Sequence, residues 1–363
     1  MGLPPTVHSG SSSASKPPSP VARTCVAAPK PATPASFWLD DGMARTRLYR
    51  NGDLVAEDFP IDDISEHLAA EGTVVWLDLQ SPTPQQYDQV QEEFGLHQLA
   101  IEDASSPRER PKLGHYRGHL FLSAYQASFD SGPGELTVCP VSAFITPRAL
   151  VTVHGDGFDV DSVVRRWDAT AELAPHGVAY LVHGLLDVVV DGHFDAVQEL
   201  DDALEALEDK LFEETPQAVR EVQQRSFRLR RGLSHLRKIV LPMREVVNGL
   251  TRAKLVDEEI APYYQDLYDH VLRVTEWTES LRDFVATILE SNLAVQGNRM
   301  NNIMKKVTSW AAIIAVPTAV TGYYGQNLPF PGFEHRSGFV TSAALIVVLS
   351  VTLYLTFKRK DWL

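Results

Sequence analysis

The sequence predicts an α+β domain, in which an α/β sheet layer is combined with long helices, followed by a two-helix transmembrane hairpin. Apolar runs of strand length alternate with helical patterns up to about residue 157. Apolar residues then recur every three or four positions from about residue 158 to 306, which is typical of helices. Two stretches without a charged residue follow, at 307–324 and 339–357, and each is long enough to cross a bilayer.

The folded part of the chain is expected to begin near residue 37. The residues before it are mostly Pro, Ser and Ala with few aliphatic side chains, a composition typical of a disordered tail. The segment Ser81-Pro82-Thr83-Pro84 predicts a helix start, since proline suits a first helical turn. Buried strands are predicted at residues 73–79, 120–125, 136–145 and 149–154.

Three apolar repeats follow, at residues 200–211, 229–250 and 267–288. Their spacing of about 3.5 residues predicts long helices packed side by side. A break near residue 215 separates the first helix from the second, and Pro242 should interrupt the second. The third helix is expected to run from about residue 260 into the membrane without a break.

Positive residues flank the two uncharged stretches on their outer sides. Lys305 and Lys306 precede the first stretch, and Lys358, Arg359 and Lys360 follow the second. By the positive-inside rule, both termini are then cytoplasmic and the hairpin lies in the cell membrane. The predicted domains are a disordered tail (1–36), a cytoplasmic α/β domain (37–157), a cytoplasmic helical hairpin (158–256), a stalk helix (257–306), two transmembrane helices (307–324 and 339–357), the loop between them (325–338) and a basic tail (358–363).

One face of the first transmembrane helix is small or polar, with an apolar neck at Val307 and Met304. Such a face indicates either close helix packing or a water-filled path. Two helices per chain cannot enclose a pore, so a conduit would require a symmetric ring of subunits. The face comprises Asn301, Met304, Val307, Ala311, Ala315, Thr318 and Gly322.

The net charge argues against a nucleic-acid-binding protein, and the motif content argues against an enzyme. The formal net charge of -14 argues against a nucleic-acid partner, whose phosphates need a basic surface. An acidic surface instead tolerates or attracts cations. The sequence contains no Gly-rich phosphate loop, nucleophile elbow or His-Glu-x-x-His motif, so an enzyme is not predicted.

Several motifs in a fixed order carry a resemblance to a known family. They are Trp76-Leu77-Asp78-Leu79, Phe94-Gly95-Leu96-His97, Ile101-Glu102-Asp103, Arg110-Pro111-Lys112 with Tyr116, Tyr264-Gln265-Asp266-Leu267-Tyr268-Asp269-His270, Tyr324-Gly325-Gln326-Asn327, and the terminal Lys358-Arg359-Lys360-Asp361-Trp362-Leu363. Over about residues 45–363 the chain resembles the CorA family of magnesium transporters.

The resemblance implies a homopentamer in the lipid bilayer, with a funnel-shaped cytoplasmic domain and a pore lined by the first transmembrane helix. Mg²⁺ is then both the substrate and a regulatory ligand, and no other cofactor is implied. A ring of Asn327 amides would accept hydrogen bonds from the water that Mg²⁺ sheds reluctantly. Thr318 and Asn301 would add further polar rings, or else only bond between helices. Gly325 is expected in a left-handed conformation that ends the helix.

Two departures from the family bear on the choice of ion. Gln326 stands where the family has Met, which adds amide groups near the mouth. Residues 328–335 replace the usual Met-Pro-Glu-Leu loop, and Glu334 would be the acid that concentrates cations. Co²⁺, Ni²⁺ and Zn²⁺ are therefore alternatives to Mg²⁺, the last as in the related ZntB branch.

The resemblance also implies closure by the transported ion, bound between cytoplasmic domains of neighbouring subunits. It places Asp103, with Glu102 beside it, near Asp266 of a neighbouring subunit, and Asp191 nearby. A divalent ion that bridges facing carboxylates would stabilise the closed ring. Alternatively, these acids are solvated surface charges, and Lys358 to Lys360 either repel cations at the inner mouth or only obey the positive-inside rule. A membrane-tethered metal sensor or scaffold that does not conduct is the rival function.

Overall fold

A computed structural model describes residues 44–106, 110–213, 215–253, 255–326 and 335–363. The predicted disordered tail, residues 1–36, lies outside the described residues. The chain divides into two compact units. The first unit comprises the described residues up to 209 together with 224–285, and the second unit comprises 210–223 together with 286–363.

The described part of the first unit is built on one mixed sheet. Its strands are β1 (Ala44–Arg50), β2 (Asp53–Glu57), β3 (Thr73–Gln80), β4 (Lys112–His115), β5 (Leu120–Asp130), β6 (Glu135–Ile145) and β7 (Ala149–His154). Their order is β2-β1-β3-β7-β6-β5-β4. The pair β3–β7 is parallel, and the other neighbouring pairs are antiparallel. The α+β class and the four predicted strands are confirmed, whereas β1, β2 and β4 were not predicted.

The helices of the described chain confirm both predicted breaks. They are α1 (Ile64–Ala69), α2 (Pro84–Phe94), α3 (Gln98–Ser105), α4 (Val160–Ala169), α5 (Val178–Asp209), α6 (Pro216–Val240), α7 (Met243–Arg252), α8 (Ala261–Tyr324) and α9 (Arg336–Arg359). The break predicted near residue 215 lies between α5 and α6, and Pro242 separates α6 from α7. As predicted, α8 continues without interruption to the end of the first uncharged stretch.

The start of α2 shows why the local sequence forms a helix there. The Thr83 hydroxyl accepts a hydrogen bond from the Gln86 N–H at 3.3 Å, and the Gln86 side chain accepts from the Thr83 N–H at 2.8 Å. This capping box satisfies two donors that a helix start otherwise leaves open. The helix ends at Gly95, whose φ of 61° is a conformation that glycine adopts at no cost.

Helices cover both faces of the sheet, because successive strand residues point to opposite sides. Val75 and Leu77 of β3 pack against α1, α2 and α3 in one apolar core. Trp76, between them, lies in a second core with α4, α5, α7 and the first turns of α8. Its ring meets the ring of Trp167 edge to face, with 4.8 Å between centroids. This layering holds α5 and the start of α8, which carry two of the predicted regulatory acids.

One polar network is buried on the same face of the sheet as Trp76. The Trp76 Nε1–H donates to the Thr152 hydroxyl at 3.0 Å, and that hydroxyl donates to the Asp78 carboxylate. The second carboxylate oxygen of Asp78 is 3.1 Å from His154 Nε2. His154 Nδ1 in turn donates to the Gly155 carbonyl at 2.8 Å. Both ring nitrogens of His154 therefore face acceptors, which favours the imidazolium form.

The second unit exposes large apolar side chains, whereas the first unit buries most of its own. Both α8 and α9 are long and apolar enough to cross a membrane, judged by length and composition. Large apolar side chains on them are exposed, among them Ile314 at 63% and Phe339 at 76%. Such exposure is unfavourable in water, whereas the backbone of a helix satisfies its own polar groups in lipid. The uncharged stretches of α8 and α9 are therefore suited to a bilayer.

Candidate functional site

The predicted polar face of α8 is uncovered within the single chain. Ser309 and Val320 lie on the opposite side of the helix by its 3.6-residue period, and both are buried. The buried side of this segment thus faces away from the polar residues. All seven members of the face are exposed: Asn301, Met304, Val307, Ala311, Ala315, Thr318 and Gly322.

The hydroxyl groups near this face bond to their own helix. Thr318 Oγ1 donates to the Ile314 carbonyl at 3.1 Å, and Thr321 Oγ1 donates to the Pro317 carbonyl at 2.8 Å. The hydroxyl protons are therefore committed, while the oxygen lone pairs are free to accept hydrogen bonds from water. Pro317 lies inside α8 and has no N–H, so the Ile313 carbonyl lacks its usual helical donor. The sequence analysis did not single out this proline.

The end of α8 corrects one prediction. Among the described residues, Gly325 is not one of the glycines with a positive φ, and its N–H donates to the Thr321 carbonyl at 2.8 Å. A Cβ on Gly325 would lie 2.9 Å from that carbonyl oxygen. Glycine is thus needed here for space, and the expected left-handed conformation was wrong. Tyr324 ends the helix and Gln326 is exposed, whereas Asn327 and Glu334 lie outside the described residues.

The basic tail is held on an ordered helix end. Lys358 and Arg359 form part of the last turn of α9, and Lys360 is its C-cap. Positive charge is favoured there because the carbonyl end of a helix is negative. The chain then folds back, since the Trp362 N–H donates to the Phe357 carbonyl at 3.0 Å and the two rings stack with centroids 5.6 Å apart.

Asp103 is neutralised inside its own chain. Its carboxylate lies in α3, 2.9 Å from the Nζ of Lys112 at the start of β4. Glu102 beside it is exposed. A divalent ion that binds Asp103 would therefore have to compete with the Lys112 ammonium group.

Asp266 lies in the first turns of α8, and 72% of its side chain is exposed. Nε2 of His270, one turn later, is 3.8 Å from its carboxylate. Nδ1 of His270 is buried and has no hydrogen-bond partner in the described structure. Of the predicted acids, Asp266 is accordingly well placed to reach a second molecule.

Asp191 is engaged by an arginine that the sequence analysis missed. The two terminal nitrogens of Arg166, on α4, contact the carboxylates of Asp187 and Asp191, which lie one turn apart on α5. Burial raises the pKa of Asp187, and the charge of Arg166 opposes that effect. Burial also lowers the pKa of His183, one turn before Asp187, so its imidazole is neutral near pH 7.

The structure does not bring the predicted regulatory acids together in one chain. Among the described residues, no group of three His, Cys, Asp or Glu side chains could hold a metal ion. A site built from Asp103, Asp191 and Asp266 would need ligands from a second chain. The four-residue spacing of Asp187 and Asp191 was a signal that sequence could offer, whereas nothing local points to Arg166.

Two exposed apolar helices, one of them with a polar face, are features of an integral membrane protein. Comparison with known proteins narrows this class. The family described as CorA-like Mg2+ transporter protein matches residues 71–359. The cobalt/magnesium transport protein CorA of Thermotoga maritima is 31% identical over 280 residues, which cover 76% of this chain and 79% of that protein.

Solved structures share the fold. The CorA magnesium transporter from Methanocaldococcus jannaschii superposes with a TM-score of 0.72 at 22% identity, covering 88% of this chain and 99% of that chain. The full-length CmaX protein superposes with a TM-score of 0.67 at 19% identity, covering 90% and 99% of the respective chains. The chain belongs to the CorA-like family of divalent-cation transporters, which are membrane proteins and not enzymes.

Proposed function

We propose that this chain forms a homopentameric channel for hydrated divalent cations in the cell membrane, with Mg²⁺ as its main substrate. The uncovered polar face of α8 carries the proposal. Within a bilayer, small and polar residues face either protein or water. Five copies that turn this face inward would enclose a wet path, which one copy cannot do. The T. maritima relative is named for cobalt and magnesium transport, which supports a divalent cargo.

The chemistry of the face suits an ion that keeps its water. Mg²⁺ dehydrates reluctantly, so its bound water molecules are what the pore must recognise. The Thr318 oxygen presents acceptor lone pairs, because its proton is committed to the helix. Met304 and Val307 form an apolar constriction of the kind that closes by dewetting. The amides of Gln326 and Asn327 would receive the hydrated ion at the mouth.

The regulatory part of the proposal uses the exposed acids of the first unit. Asp266 would meet Asp103 and Glu102 of a neighbouring subunit, with a divalent ion between them. When the cytoplasmic ion concentration falls, the carboxylates repel one another and open states gain population. The positive residues at both outer ends of the hairpin support cytoplasmic termini.

Uptake into liposomes that contain the purified chain tests the proposal, with Mg²⁺, Co²⁺, Ni²⁺ and Zn²⁺ offered separately. We expect uptake of Mg²⁺ and Co²⁺.

Asn327→Ala should lower the flux about tenfold or more, since one lost hydrogen bond at the barrier is worth about that much. Absence of flux in the native chain would leave a sensor or scaffold, and uptake of Zn²⁺ alone would indicate the ZntB type. A purified monomer or dimer would contradict the pentamer.

Two threonines provide a matched pair for the pore. Thr318 on α8 and Thr352 on α9 are both exposed, and each hydroxyl donates to the carbonyl four residues earlier, at 3.1 and 2.7 Å. Only Thr318 lies on the polar face. Thr318→Val should therefore reduce the flux and Thr352→Val should leave it unchanged. Equal effects would mean that the face is not the path.

A further inference from the structure

Arg166 lies between the carboxylates of two aspartates on α5. One of its terminal nitrogens contacts an oxygen of Asp187 and the other contacts an oxygen of Asp191. The planar guanidinium suits such paired recognition of carboxylates. The Asp187 side chain is only 14% exposed, so its charge is partly removed from water and depends on a neighbouring cation.

We propose that Arg166 is the built-in counter-cation of Asp187 and Asp191, and that it excludes divalent ions from this pair. The proposal concerns regulation and rests on the function proposed above. In consequence Asp191, expected from the family resemblance to bind the regulatory ion, is not a ligand of that ion in this chain. Control by the ion is left to acids elsewhere on the first unit, among them Asp266, whose side chain is 72% exposed.

Because Arg166 is part of the same chain, it should bind the Asp187–Asp191 pair in preference to a free divalent ion. The guanidinium is held beside the carboxylates by α4, so its effective concentration exceeds that of a free cytoplasmic ion. A divalent ion would gain two attractions but would have to displace Arg166 and give up its own water. Without the guanidinium charge, the two carboxylates repel each other beside the neutral imidazole of His183. The pair would then accept a divalent ion readily.

The adjacent residue offers a matched control. Arg165 is also on α4, but its side chain is 67% exposed, and it lies 3.4 Å from the single exposed carboxylate of Asp159. Arg165→Gln removes the same charge from the same helix without freeing a carboxylate pair. Arg166→Lys keeps the charge at the pair and loses only the fork geometry.

The test is thermal unfolding of the purified full-length chain in detergent, in EDTA and over a titration with MgCl₂ or CoCl₂. Arg166→Gln should lower the Tm in EDTA, and the ion concentration at the midpoint of stabilisation should fall about tenfold relative to the native chain. Arg165→Gln and Arg166→Lys should keep the native midpoint. A purely structural role of Arg166 would lower the Tm equally with and without ion and leave the midpoint unchanged, which would overturn the proposal.

A second variant keeps the test informative if Arg166→Gln does not fold. With Arg166 present, Asp191→Asn should leave the midpoint of stabilisation by the divalent ion unchanged, because Arg166 already pairs with Asp191 and no ion binds there. A weaker response to the ion in Asp191→Asn would overturn the proposal. Failure of the proposed transport function would appear separately, as an absence of liposome flux in the native chain.

Discussion

The two compact units of this chain place the same kinds of side chain in opposite surroundings. In the first unit the rings of Trp76 and Trp167 are fully buried, whereas Ile314 and Phe339 of the second unit are mostly exposed. Charged groups of the first unit pair across elements, while the hydroxyls of the second unit bond within their own helices. The difference shows which solvent each surface is built for. The polar face of α8 is suited to contact with protein or water rather than with lipid.

The largest expected effect contrasts one aromatic ring from each unit. The Trp167 ring packs on Trp76, and its Nε1–H donates to the Leu181 carbonyl at 3.1 Å. Trp167→Ala should lower the free energy of unfolding of the first unit by about 3–5 kcal/mol. Phe339→Ala, at a ring open to the surroundings, should change stability by less than about 0.5 kcal/mol. Urea unfolding in detergent measures both, and similar losses would remove the contrast between the units.

A smaller effect comes from two glycines on helices. A Cβ on Gly184 would clash with the Trp167 ring, whereas a Cβ on Gly322 would meet nothing within 4 Å. Gly184→Ala should therefore cost about 1–3 kcal/mol of stability through overpacking. Gly322→Ala should not lower stability, since alanine favours a helix more than glycine does. It should reduce the liposome flux, because the added methyl group narrows the proposed path. Normal flux in Gly322→Ala would place this residue away from the path.

The smallest effect is a change in how stability depends on pH. Burial by itself lowers the pKa of His154, but the hydrogen bond and the charge of Asp78 outweigh it and raise the pKa, against a small opposing contribution from Arg45. The folded pKa thus lies above the unfolded value of about 6.5. The contribution of the pair to stability is complete below about pH 6.5 and is lost as the pH rises through the folded pKa.

His154→Gln should remove that part of the pH dependence. Unfolding measured between about pH 5.5 and 8.5 checks this, because the native chain should lose stability toward the upper end and the variant should not. An unchanged profile in His154→Gln would mean that another group titrates.

The strands that sequence could predict are those that bury continuous apolar runs. β1 was missed because Ala-Arg-Thr-Arg-Leu-Tyr-Arg alternates arginine with other residues and does not read as a core strand. Its Arg47 is nevertheless buried, since it lies 2.7 Å from Glu57 and 2.8 Å from Asp168. Asp168 is far along the chain, so no local pattern shows that this charge is paired.

Likewise, some features of the candidate site were predictable from local sequence patterns and others depend on how distant segments pack. The polar face of α8 was predictable, because a helical period turns spacing along the chain into position on a surface. Gly325 was predicted to be left-handed because glycines that end helices commonly adopt that conformation. In the structure, glycine is required there because a Cβ would be too close to the Thr321 carbonyl oxygen. The bridge from Arg166 to Asp187 and Asp191 depends on how α4 packs on α5, which spacing does not encode. The roles of the regulatory acids stay predictions.

The contact between Trp76 and Trp167 also gives the first unit an optical label of its own. Two indole rings with centroids 4.8 Å apart and planes inclined by 79° have transition dipoles close enough to couple. In circular dichroism such a pair adds an exciton couplet that disappears once the rings separate. Unfolding of the sheet can therefore be followed in detergent solution without a dye, despite the strong helical signal of α8 and α9.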